Sequence, residues 1–226
     1  MPRMIHAWLH ALCCCAGFVS TIFTVPASAQ VADSGIITVV SRTQIALSGH
    51  AAHLGFQLTA VVWEDSGWTS QQAIDGLTAA LTLLRQCAIG ASALTLLQVR
   101  TALQFRDLYT PASRRVAAAL ALPRPAIFFA AQSRNRPAFD AEAFGAGNTR
   151  TRPELRDTVW VTRGAADLPQ TIAHELFHVL ANSGAHSEDP DNLMHADTAP
   201  QRTRLEPEQC AALIRSGLES GLLRSQ

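Results

Sequence analysis

Two hydrophobic periods alternate along the chain. Residues 36–47 mix β-branched and apolar side chains with polar ones, which predicts a strand. Residues 56–63 alternate and then become continuously apolar, the pattern of a buried strand. Residues 94–99, 125–131 and 157–162 read as three further strands, the last alternating and closing the sheet. Between them the period lengthens to that of a helix. Thr69 with Gln72 forms a capping-box pattern, and Ile74, Leu77, Leu81 and Leu84 then fall on one face, with Cys87 continuing the spacing inward. Thr110-Pro111 predicts a cap and first turn for a short helix that ends before Pro123 and Pro125. Residues 133–156 turn polar, a surface excursion in which 143–146 is expected as an edge strand bordering a cleft. A helix capped by Asp167, with Pro169 in its first turn and Gln170 as the reciprocal partner, carries Ile172, Leu176, Val179 and Leu180 on one side. Leu205-Glu206-Pro207 opens a last helix, with Cys210, Leu213, Ile214 and Leu218 on its inner face.

The first thirty residues change this picture. Arg3, an apolar run over 7–25 and the small-x-small end Pro26-Ala27-Ser28-Ala29 read as a signal peptide cut after Ala29. Residues 30–226 then form one mature domain, exported to the periplasm or beyond. Of five cysteines, Cys13 to Cys15 leave with the leader; Leu12 and the other residues before them fit a lipoprotein signal poorly. Cys87 and Cys210 remain, an even pair in an oxidising setting, and are predicted to form a disulfide between the first and last helices. Eighteen basic and 18 acidic residues give zero net charge. With no basic block, neither a nucleic-acid nor a membrane partner is expected.

The chemistry concentrates in His174-Glu175-Leu-Phe-His178. Residues i and i+4 share a helix face, so His174 and His178 can both aim a ring nitrogen at one metal ion. Glu175 can reach a metal-bound water without being a ligand itself. A catalytic zinc site takes three protein ligands and keeps a position open. After the turn chemistry of Asn182-Ser183-Gly184, His186 can swing back as the third; Glu206, Glu208 and His195 are its rivals. His50 and His53 read as solvated loop histidines.

The run from His174 to His178, with Gly184, His186 and Asn192-Leu-Met194, resembles the metzincin clan of zinc metallopeptidases, in a matrixin-like form. The resemblance is confined mainly to residues 171–196, and His186 stands two residues later than the clan spacing. It implies an α+β fold: a small mixed twisted sheet with packed helices, and an active-site helix followed by a Met-turn, here Met194, and a C-terminal helix. It also implies a monomeric metalloendopeptidase that holds Zn²⁺ on His174, His178 and His186, uses Glu175 as general base and takes a protein or peptide as substrate. The competing expectation is a secreted binding or structural module that keeps the zinc site without turnover.

Overall fold

The computed structural model describes residues 22–25, 37–47, 53–108, 110–134 and 140–226. Ile22–Val25 (β1) pairs antiparallel with Ile37–Ile45 (β2); the rest of the expected leader lies outside the described residues, as does His50. The remaining strands are Leu54–Trp63 (β3), Ile89–Thr101 (β4), Ala126–Phe129 (β5), Ala141–Phe144 (β6), Thr158–Val161 (β7) and Arg224–Ser225 (β8). They form one mixed sheet in the order β1-β2-β4-β3-β5-β7-β6, and β8 pairs with the start of β3. The centre, β4-β3-β5-β7, is parallel, while β2 and β6 run antiparallel beside it.

The helices are Ser70–Leu84 (α1), Thr110–Leu120 (α2), Leu168–Ala181 (α3) and Pro207–Glu219 (α4). Side chains on the two sheet faces form separate clusters. Phe56, Leu58 and Val62 meet α1, α3 and α4 on one face; Trp63, Phe128 and Trp160 meet α2 on the other. The molecule is therefore α+β, with the sheet covered on both sides.

The strand expected over 157–162 is β7. Its sequence alternates, yet Thr158, Val159, Trp160 and Val161 are all buried under this double cover. Trp160 stacks on Phe128 at 4.2 Å, and the Thr158 hydroxyl accepts the Trp160 indole N–H at 3.1 Å. A parallel strand between two helix layers buries both of its faces. Nor is it the last strand, because β8 follows.

The helix ends are mixed. The capping box of Thr69 and Gln72 is present on α1, and Cys87 is buried in a short 3₁₀ turn after it. Thr110 is the first residue of α2 rather than its cap. Asp167 stands at the N-cap of α3, but its side chain makes no capping bond, and the Gln170 amide instead donates to Pro200 C=O at 3.0 Å. On α4, Leu213 is buried, whereas Leu218 is 46% exposed. The inner stripe continues through Gly217, where an added Cβ would meet Leu223 Cδ1 at 2.6 Å, so Leu223 occupies the place a side chain would need.

Cys87 and Cys210 are joined, 123 residues apart. Beside them the Gln86 amide donates to Thr203 C=O at 2.8 Å, and its oxygen accepts Leu205 N–H at 2.8 Å. The end of α1 is thus tied to the start of α4 by one covalent and two polar links.

Candidate metal centre

α3 is buried around most of its circumference, including Ala173 and Phe177 as well as the expected Ile172, Leu176, Val179 and Leu180. Its back packs on α1. The close approach is possible because α1 carries Gly76, where a Cβ would lie 2.6 Å from Leu168 Cδ2. Its front bears His174, Glu175 and His178.

The helix ends at Asn182, which adopts the left-handed conformation (φ 47°) that asparagine tolerates better than most residues. Ser183 N–H donates to His178 C=O at 3.2 Å as the chain reverses. Ser187 N–H then donates to Met194 C=O at 2.8 Å, which brings the intervening His186 back over the helix. The reversal thus starts at Asn182 and runs through Ser183, Gly184 and Ala185 before His186. Gly184 has open space around its Cα and no left-handed φ, so the reversal does not depend on it.

His174, His178 and His186 come together as a group able to hold a metal ion. His178 Nε2 lies 3.0 Å from His174 Nε2 and 3.3 Å from His186 Nε2. A carbonyl oxygen only accepts hydrogen bonds. His174 Nδ1 sits 2.8 Å from Leu193 C=O and His178 Nδ1 sits 2.6 Å from Ser183 C=O, so each Nδ1 carries the proton. The two Nε2 lone pairs then face each other at a separation that repels unless a cation lies between them. Nitrogens about 2.0–2.1 Å from a tetrahedral ion are about 3.3 Å apart. The donor set fits such an ion.

Burial favours the neutral imidazoles that a metal requires. It pushes His174 down to about 4, against the pull of the Leu193 carbonyl, and it also lowers His178. Glu175 moves the other way. Burial first, then the nearby Glu142 carboxylate, raises it to about 7, although Ala143 N–H bonds to it. A carboxyl with that affinity can both take and release a proton near neutral pH.

The rivals for third ligand do not join this group. Glu206 heads α4, where Gln209 Oε1 accepts its N–H at 2.7 Å, and Glu208 is exposed in the first turn. His195 Nδ1 accepts Asp197 N–H at 3.2 Å, and His53 is an exposed loop residue.

Several supporting groups were not apparent from the sequence. Two are backbone carbonyls, of Leu193 and Ser183, which no residue type announces. A third is the bracing by Asn192, read in the sequence only as part of the run to Met194: it is fully buried, and its oxygen accepts Met194 N–H at 2.8 Å while its amide donates to Gln209 at 3.0 Å. The pattern Glu206-Pro-Glu-Gln209, a capping box with proline at the first helical position, could have flagged Gln209. Met194 is 1% exposed and belongs to the core beneath α3. β6 lies at the sheet edge and lines a cleft of about 480 Å³ that holds all three histidines and Glu175. The expected edge strand is thus two residues nearer the N-terminus than residues 143–146.

Among solved structures, the chain is similar to metalloproteinase-II from Bacteroides fragilis, with a TM-score of 0.52 and 14% sequence identity. The fold is metalloproteinase-like. The match covers 75% of this chain and 55% of that protein, so the chain spans little more than half of its neighbour. No protein-family model and no curated protein sequence matches it.

Proposed function

We propose that the chain is an exported zinc endopeptidase of the metzincin kind, with a matrixin-like site, acting on proteins or peptides. The observation that carries this reading is the convergence of three imidazole nitrogens beside Glu175 in an open cleft. Three ligands, with no fourth His, Cys, Asp or Glu joining them among the described residues, is the count of a catalytic rather than a structural zinc site. Three imidazoles at this spacing suit Zn²⁺.

His174, His178 and His186 would hold the ion through Nε2. When bound, it supplies Lewis acidity and makes a nucleophile available near neutral pH. Glu175, tethered by Ala143 N–H, takes a proton from the attacking water and returns it to the leaving amine nitrogen. β6 beside the cleft supports an extended substrate, since an edge strand is a template for another chain. The apolar leader and the disulfide support export. Balanced charge without a basic block supports the absence of a nucleic-acid or anionic-membrane partner, and no helix among the described residues is long and apolar enough to cross a membrane.

The test is Glu175→Gln. It should retain one zinc per chain by elemental analysis and lose peptide hydrolysis by at least about a hundredfold. Full activity in that variant overturns the mechanism.

A further inference from the structure

We propose that Glu142 selects peptide substrates carrying a cationic side chain, arginine or lysine, close to the bond that is cut. The inference builds on the peptidase reading of the site. Glu142 lies on β6 between Ala141 and Ala143, and all three line the cleft. On the pleated strand Ala141 and Ala143 turn to the sheet face that α3 covers, while Glu142, paired with Trp160, leaves β6 on the other face and borders the cleft from there. Among the described residues, the ionisable groups lining the cleft are the three histidines, Glu175 and Glu142. The first four are accounted for by metal and proton chemistry. Glu142 is not.

Its surroundings favour a counter-charge from outside. Glu142 is partly withdrawn from water and stands near a second carboxylate, Glu175. The cation acting on it is Arg152, which makes no ion pair with it among the described residues. Its guanidinium lies 5.3 Å over the Phe144 ring, and its Nη2 donates to Asn148 C=O at 3.1 Å. Among the described residues Glu142 forms no ion pair. A half-desolvated carboxylate in this position attracts a guanidinium or ammonium and repels an acidic side chain. Gly145 and Gly147, which also line the cleft, leave room beside β6 for a long side chain.

The experiment compares zinc-loaded protein on matched peptide sets with arginine, lysine, leucine or glutamate at each position around the scissile bond. Cationic peptides should be cut with kcat/KM about tenfold or more above leucine peptides, a preference that shrinks as salt is raised. Glu142→Gln should bring the ratio close to one, and Glu142→Asp should restore part of it. In parallel, fluorescence anisotropy with the Glu175→Gln protein should show the cationic peptides binding more tightly, a readout independent of turnover. Equal rates for arginine and leucine peptides, or a preference that survives Glu142→Gln, overturn this proposal and leave the peptidase reading standing. Failure to cut any peptide overturns the peptidase reading, and the anisotropy comparison then decides the charge preference alone.

Discussion

His174 and Glu175 are neighbours that the same burial pushes in opposite directions. In metal-free protein His174 is held near 4 against an ordinary 6.5. An unfolded chain therefore takes up a proton below pH 6.5 that the folded chain refuses, and the stability contributed by neutral His174 is lost as pH falls from 6.5 towards 4. Glu175, at about 7 against 4.5, does the reverse: its contribution is complete below pH 4.5 and is lost as pH rises through 7. The two slopes oppose each other in wild-type protein, so single variants must separate them. Thermal melts of chelator-treated protein should show His174→Gln relieving the loss on the acid side, by on the order of 3 kcal/mol near pH 4. Glu175→Gln should relieve the loss towards neutral pH. For metal binding, His186→Ala should reduce zinc affinity strongly, read by competition with a chromophoric chelator; unchanged affinity would remove His186 from the ligand set.

At the scale of elements, the loop under α3 works through Asn192. Asn192→Ala removes the acceptor for Met194 N–H and leaves a partly buried Gln209 amide without its partner. The expected cost is about 2–4 kcal/mol in unfolding free energy, together with a 10- to 100-fold drop in zinc affinity as Leu193 C=O loses its register on His174. Denaturant melts and metal titration measure the two separately. What the sequence made legible at this scale follows from side-chain periodicity. The capping box of Thr69 and Gln72, the face shared by His174 and His178, and the inward Cys87 all depend on spacing within one helix. Where tertiary contacts decide, spacing misled. Leu218 is exposed because Leu223 fills the groove at Gly217, and Asp167 stands at an N-cap without bonding to it. The edge strand beside the cleft was legible only as a possibility of polarity, since its register depends on pairing with β7. Glu142 drew no attention, because what distinguishes it is the nearness of Glu175 in space.

For the whole molecule, the link between Cys87 and Cys210 joins the end of the first helix to the last. In the chain-entropy account, closing a loop of this length contributes about 4–5 kcal/mol. Cys87→Ala with Cys210→Ala should lower the melting temperature by roughly 5–15 °C, with m-values reporting whether the unfolded state expands. α2, β5 to β7, α3 and the turn bearing His186 all lie between these two cysteines. The three histidines proposed to hold zinc therefore sit on a covalent ring rather than on an open thread. A single backbone cut anywhere within that ring leaves one molecule, its two pieces still joined through sulfur. For a chain proposed to be a peptidase, such a cut is a standing hazard. Protein nicked once within the ring should migrate as one band on a non-reducing gel and as two after reduction. It should also retain its zinc until the disulfide is opened.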